Sequence, residues 1–430
     1  MSISAWQTTT LADSTKFEYL NGLWKGKKPP FEKAVVIRNT NFRNDGVLDL
    51  NNVAILEVET RQLQSRLLRK GDIIIERSGG GPKQPVGRVC YFNVDDSRPH
   101  SFSNFTTTLR VIDREAYLPL FVHYNLLHLY QTGFTFPLQR ATTGIRNLDF
   151  GAYQEAKIPV LPKKEQEKIA AVLWKVQRAI EVEEKLVTAA RELKQSTMRQ
   201  LFTHGLRNEK HHDTDLGLLP KSWSTVPLGS FGRIGNGSTP LKTNPGYWNN
   251  GAIPWLTSAK VYDVTITKAD QFVTSLAVTE CHLPHVKPGS VLMAITGQGK
   301  TLGHVAVTAI ETCVSQHIAF LAFADDSANP HFIRLFLESR YAELRGVALG
   351  GGSTKGALTC GFLKTFLVPR PERKEQDEIA SALMTIEAKI SVHERKRAAL
   401  SDLFQTLLHQ LMTAQIRVDK LEIDTKEVTA

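Results

Sequence analysis

Two stretches of the chain carry an apolar residue every three or four positions over nearly forty residues. In the first, Ile169, Val172, Val176, Ile180, Val187, Ala190, Thr197 and Leu201 recur; in the second, Ile379, Leu383, Ile386, Ile390, Leu400, Phe404, Leu407 and Leu411 do the same. That spacing draws one narrow apolar stripe down a helix and leaves charges on its other faces. Neither stretch contains Pro or Gly inside. Pro162 and Pro371 lie just upstream, and Gly205 closes the first, as helix start and stop signals do. The spacing predicts two helices, each about 58 Å long at 1.5 Å per residue. So narrow a stripe cannot hold a lone helix in water. The named residues satisfy one another if the two helices pair as a coiled coil. The competing arrangement packs each helix on a globular domain of its own.

The two stretches are copies. Glu165–Thr203 aligns with Glu375–Thr413 at a shift of 210 residues, without a gap, and 14 of 39 positions are identical. Ile158-Pro-Val-Leu-Pro and Val368-Pro-Arg-Pro precede them. So long a period marks a duplicated domain, since solenoid units span only about 20–50 residues. Ahead of each helix lie short strand-like runs punctuated by Gly, Asn and Pro. They include Lys33-Ala-Val-Val-Ile, Asp72-Ile-Ile-Ile-Glu and Val86-Gly-Arg-Val-Cys-Tyr-Phe, then Ser290-Val-Leu-Met-Ala-Ile and His304-Val-Ala-Val-Thr. Pro119–Tyr130 and Pro330–Arg345 read as amphipathic helices. Asn208–Pro220 is polar and reads as a linker. The fold class is therefore α+β, with two tandem mixed α/β domains, each followed by a long helix. The segments are a first domain over 1–158, a first helix over 159–205, a linker and second domain over 206–368, a second helix over 369–415 and a polar tail over 416–430.

The scaffold repeats while its loops differ. Arg69-Lys-Gly-Asp-Ile-Ile-Ile matches Val286-Lys-Pro-Gly-Ser-Val-Leu, and Val86-Gly-Arg-Val matches Leu302-Gly-His-Val. A duplication that keeps its frame and varies its loops suits a protein that reads two different targets. The charge fits one class of target: the chain carries +10 at pH 7, spread without a polybasic tail, and positive charge suits a phosphate backbone. The same charge also serves plain solubility. No run of 18 apolar residues is present, so no membrane span is expected. The N-terminus lacks the basic and apolar regions of a secretory signal. Cys90, Cys281, Cys313 and Cys360 are far apart, which argues against zinc and disulfides and for a reducing cytoplasm.

The duplicated Pro-x-x-Glu-Gln-x-x-Ile-Ala motifs, Pro162…Glu165-Gln166…Ile169-Ala170 and Pro371…Glu375-Gln376…Ile379-Ala380, resemble those of type I restriction-modification specificity subunits. Leu218-Leu-Pro-Lys-Ser-Trp…Leu228-Gly…Gly237-Ser-Thr-Pro resembles the opening of a recognition domain in that family, as do Tyr247-Trp…Ile253-Pro-Trp-Leu and Gly289-Ser-Val-Leu-Met. The first half departs from the pattern: it lacks a Leu-Pro-x-x-Trp opening and begins with Lys16-Phe-Glu-Tyr. The resemblance covers nearly the whole chain. It implies that each domain reads one half of a split sequence in double-stranded DNA, and that the helices pair antiparallel and set the gap. It also implies docking of two modification subunits that methylate adenine with S-adenosylmethionine. Two motor-nuclease subunits that use ATP and Mg can join them, and the system serves host defence. The specificity chain itself binds no cofactor and catalyses nothing. The alternative is a coiled-coil scaffold that binds no DNA.

If DNA is the ligand, base edges call for Arg, Lys, Asn and Gln, and phosphates for basic and hydroxyl groups. In the first domain the candidates are Arg38, Asn39, Asn41, Arg43 and Asn44, then Arg77, Ser78, Lys83 and Gln84, then Arg140, Thr142, Arg146 and Asn147. In the second they are Thr257, Ser258 and Lys260, then Gln298, Lys300 and Thr301, then Ser315, Gln316 and His317, then Ser353, Thr354 and Lys355. The run Ala294–Thr301 imitates a phosphate-binding loop. Its first position is Ala where the pattern has Gly, and a strand-like run follows where a helix must open. Lys28-Pro-Pro-Phe and Asn244-Pro-Gly-Tyr each miss the tetrapeptide of amino-group methylases. His211-His-Asp has no second cluster of ligands and reads as solvated polar sequence.

Overall fold

The computed structural model describes residues 6–24, 26, 28–81, 84–142, 145–297, 299–350 and 356–429, with Thr142 in backbone only. The chain divides into two compact units. One is Met1–Glu183 with Lys396–Ala430, the other Glu184–Arg395. Each unit thus holds one globular domain and half of each long helix. The helices run Lys163–His204 and Arg373–Met412. In the first unit Glu183 meets Lys396 at 2.6 Å. In the second, Arg191 pairs with Glu394, and Lys194 with Glu387 at 2.7 Å. Numbers rise along one helix as they fall along the other, so the two pair antiparallel.

Both packing arrangements weighed above occur together. In the first unit Ile169, Ile180, Phe404 and Leu411 are buried in the same core as Tyr117, Phe121 and Tyr124 of the globular domain, with Val172, Val176, Leu400 and Leu407 packed against it. In the second, Leu201, Ile379 and Leu383 are buried with Trp223, Phe332 and Phe336, and Ile386 packs at the edge. Val187 is buried and Ile390 half-buried. Leu173 and Leu408 are fully buried as well, although they lie off the narrow stripe. The helix face is wider because it serves a partner helix and a domain at once.

The sheets repeat strand for strand. In the first unit a four-stranded antiparallel sheet runs Phe17–Asn21, Thr106–Val111, Ile73–Glu76, Val89–Tyr91. In the second, Gly232–Asn236, Ile318–Phe323, Val291–Ala294 and Val305–Thr308 take the same order, and Thr265–Ile266 adds a fifth strand. A smaller sheet places Phe31–Ile37 antiparallel to Ala54–Glu59 and parallel to His100–Phe102. Its counterpart places Ile253–Leu256 antiparallel to Gln271–Val273 and parallel to Cys313–Val314. The central strands are continuously apolar because both faces are covered. Ile73 and Ile75 enter one cluster and Ile74 another.

The opening of the first domain, missing from the sequence pattern, is present in register. Thr8 pairs with Pro159, and Thr225 with Pro369. Trp6 therefore stands where Trp223 stands, two residues before its threonine. Trp-x-Thr-x-x-Leu occurs in both, ending at the buried Leu11 and Leu228. The Glu-Gln motifs open the long helices in matching ways. Gln166 Oε1 accepts from Leu118 N at 2.9 Å while its Nε2 donates to Ala116 O and Leu161 O. Gln376 Oε1 accepts from Asn329 N at 2.8 Å while its Nε2 donates to Ser327 O and Pro371 O. Each buried amide latches its long helix to the start of the domain helix, Pro119–Gln131 or Pro330–Ser339.

Three readings change. Asn208–Pro220 contains a hairpin, His211–Thr214 against Gly217–Pro220. The helix expected over 330–345 breaks at Arg340 (φ −96°, ψ 13°). A second piece, Tyr341–Gly350, then lets Tyr341 and Arg345 reach the carbonyls of Lys300 and Gly299. The polar tail docks on the first unit, with Val418 buried in its core and Arg417 on Glu165. Among the described residues no helix is long and apolar enough to cross a membrane.

Candidate nucleic-acid interface

In the first unit three separate stretches of candidates meet. The 3-10 turn Asn39–Asn41 lies beside strand Ser78–Gly80, and that strand pairs with Ile145–Leu148. Asn39 Nδ2 donates to Ser78 O at 3.2 Å, and Ser78 Oγ donates to Asn147 Oδ1. A buried ion pair sets this up. Arg88 donates to both oxygens of Glu76, at 2.9 and 2.7 Å, and also to the carbonyls of Phe42 and Asn39. Burial opposes the Arg88 charge, but the Glu76 carboxylate more than offsets it and raises the guanidinium above its usual pKa. Arg88 thus holds the 38–44 loop by its backbone carbonyls, with Arg43 half-exposed and Asn44 exposed beyond it.

Arg77 stacks over the Phe150 ring at 4.5 Å and donates to Asn21 Oδ1. Burial draws its pKa down. No carboxylate pairs with it among the described residues, so its charge is available. Arg43 is bidentate on Asp45, Arg140 pairs with Asp149, and Arg146 reaches Gln139. Gln84 lies against the Arg88 guanidinium. Asn44 is exposed. Asn41 is corrected: it is 2% exposed, its oxygen accepts from Arg38 N, and its amide donates to Asp49 O and Asn52 O. No donor remains for a base edge. Lys83 and the Thr142 side chain lie outside the described residues.

The second unit gathers its loops differently. Ser315 N donates to Leu256 O, so the 315–317 loop abuts Thr257 and Ser258. Thr296 Oγ1 bonds His317 Nδ1, and Gly297 N donates to Gly356 O. Thr301 bonds Tyr262, whose ring packs on His304, and His304 packs on Tyr341. Gln316, His317 and Lys300 are exposed. Two candidates are corrected. Ser315 is 1% exposed. Lys260 is held by Asp263 at 2.8 Å and Asp270 at 3.1 Å, which raise its pKa and neutralise it. Strand Val305–Thr308 follows the Ala294–Thr301 loop, so no helix N-terminus stands there to hold phosphate. Gln298, Ser353, Thr354 and Lys355 lie outside the described residues.

Residues the pattern reading missed sit at the helix junctions. Glu165 accepts from Arg417, and the Arg417 guanidinium lies over the Trp6 ring at 5.9 Å. Glu375 accepts from Leu206 N and Trp223 Nε1, with Arg207 at 3.9 Å. The signal was there at the same shift of 210: Leu206-Arg207 and Lys210 match Ile416-Arg417 and Lys420, past the helix ends.

Comparison with known proteins places this duplicated architecture. Residues 6–190 and 220–402 each match the family profile described as the type I restriction modification DNA specificity domain. The first match begins at Trp6. A Methanocaldococcus jannaschii protein, named for the MjaX type I restriction enzyme specificity subunit, is 20% identical over 380 residues, 87% of this chain and 85% of its own. The MjaIX specificity subunit of the same organism is 29% identical over 175 residues, 40% of this chain and 39% of that one. Among solved structures, the S subunit of a type I restriction-modification system from M. genitalium shares the fold, with a TM-score of 0.62 at 16% identity over 95% of this chain and 96% of that one. With the profile matching twice and the two matches together spanning most of its length, the chain belongs to the type I restriction-modification DNA specificity family.

Proposed function

We propose that this chain reads a split sequence in double-stranded DNA, one half per globular domain, and performs no chemistry itself. The observation that carries this is the pair of loop clusters mounted on one repeated scaffold with different side chains. Arg38, Asn39, Arg77, Arg146 and Asn147 present one set of donors, and Thr257, Thr296, Gln316 and His317 another. Guanidinium and amide groups supply the bidentate donors that base edges and phosphates require. The paired helices set the unspecified gap between the halves. Two methyltransferase subunits dock on this frame and carry S-adenosylmethionine. Motor-nuclease subunits with ATP and Mg join in the same assembly.

Binding of the chain, purified with its methyltransferase subunits, to a pool of random duplexes tests the reading. Selection should enrich two short blocks at a fixed separation, with affinity falling steeply as salt rises. A combined Arg38→Ala and Arg77→Ala variant should lose one block and keep the other. Unchanged behaviour of that variant, or no enrichment, would favour a protein-binding scaffold.

A further inference from the structure

Large apolar side chains on a protein surface normally stand singly. One face of the first domain departs from this. Trp24 is 68% exposed and Phe105 42%, with Leu56 also exposed on the strand Ala54–Glu59. A groove of about 350 Å³ opens there, lined by Trp24, Leu56 and Phe105 together with Arg38, Asn39 and Thr40. No carboxylate is among its described lining residues. Arg38 has no ion pair among the described residues, and its Nε is buried without a partner. An unneutralised guanidinium therefore borders exposed flat rings.

Phe105 is held firmly at its base. It sits at the tip of a turn closed by Thr106 N donating to Ser103 O at 2.9 Å. Its carbonyl accepts from Arg77 N at 2.9 Å and Ser78 N at 3.2 Å. The ring thus projects from the same backbone that carries the candidate contacts Arg77 and Ser78. A groove whose described lining offers apolar ring faces, an arginine without an ion pair and no anion is complementary to nucleobases beside a phosphate.

We propose that this groove takes an unstacked base step of the DNA, with Phe105 inserted as the wedge, Trp24 as the second stacking face and Arg38 on the flanking phosphate. The inference rests on the DNA reading above and adds to it. The first domain would read deformability as well as base edges, and favour a pyrimidine–purine step, which unstacks most readily.

Chemical probing of the target duplex tests this, with the full chain in complex with its methyltransferase subunits. Permanganate reports unstacked thymines and hydroxylamine unstacked cytosines, so every base pair is covered. Binding should raise reactivity at one step of the first block at least fivefold. Phe105→Ala should return it to background and weaken binding about tenfold, with the second block unaffected. Phe105→Leu, still an apolar wedge and checked by its melting curve, should keep most of the signal. Bound DNA without enhanced reactivity in the first block would overturn the proposal while leaving the DNA reading intact. Reactivity that survives both Phe105→Ala and Trp24→Ala would overturn it too. If those variants instead lose their methyltransferase subunits with reactivity unchanged, the groove is a protein-docking face. A complex that binds no DNA at all contradicts the DNA reading itself, and the wedge falls with it.

Discussion

The Arg417 guanidinium donates to both carboxylate oxygens of Glu165, at 2.8 and 3.1 Å, and a pair displaced by 210 residues, Arg207 and Glu375, recurs in the other unit. In each case an arginine just past the end of one long helix meets the glutamate that opens the other. The Pro-x-x-Glu-Gln motif is therefore a two-sided latch. Its Gln fixes the helix to the domain ahead of it, and its Glu receives the chain leaving the antiparallel partner. Both glutamates are buried and both arginines are half-exposed, but the two seats differ in their partners: Glu375 also accepts from Trp223 Nε1 and Leu206 N, whereas Glu165 holds Arg417.

That difference predicts unequal costs. Glu375→Ala strips the acceptor from the buried Trp223 Nε1 and Leu206 N and should cost about 2–4 kcal/mol. Glu165→Ala removes the partner of a half-exposed arginine and orphans no buried donor among the described residues, so it should cost less, about 1 kcal/mol. Urea unfolding followed by tryptophan emission measures both, and equal midpoints for the two variants would contradict the latch.

His123 predicts a pH dependence. It is buried between Tyr91 and Tyr124 with neither ring nitrogen bonded, and burial pushes its pKa down from 6.5 to about 3. Below pH 6.5 the unfolded chain takes up a proton that the folded chain refuses. The neutral ring's contribution is intact above pH 6.5 and is lost as pH falls towards 3, at about 1.4 kcal/mol per unit. His123→Phe should flatten this acid limb. Identical limbs for variant and parent would show that another group governs it.

Lys260 and Arg77 predict opposite outcomes. Two aspartates already neutralise Lys260, so Lys260→Ala should change DNA affinity less than about threefold. Arg77 is stacked but unneutralised, and its loss should cost about tenfold or more, with a shallower salt slope. Titration of labelled duplex at several salt concentrations distinguishes them.

The long helices predict a change of spacing. Four residues inserted after Val182 add about 6 Å of helix, between one and two base-pair steps of about 3.4 Å. The selected target should keep both blocks and gain that separation. Altered blocks at unchanged separation would mean that the helices do not set the gap.

The repeat, the stripes and the apolar strands were legible because burial imposes period and composition on neighbouring residues. Helix ends were legible to within a few positions from Pro162, Pro371 and Gly205. Other features depend on partners distant in sequence. Trp6 is recognised through the strand pairing of Thr8 with Pro159, although Trp-x-Thr-x-x-Leu stood in both halves. Arg207 and Arg417 lie beyond the helical stripe, where only the shift of 210 marks them. Asn41 and Lys260 read as DNA contacts by residue type, yet the fold spends their donors on Asp49, Asn52, Asp263 and Asp270. A side chain's type is visible in the sequence, but whether its hydrogen bonds are already used is not.

The central claim is that this chain chooses a split DNA target for a methyltransferase. A long-read methylation map of the host, with the gene intact and deleted, tests it most directly. The account predicts that deletion erases methyl-adenine at one two-block motif and at no other. A map left unchanged while the methyltransferase subunits remain expressed and active would contradict it.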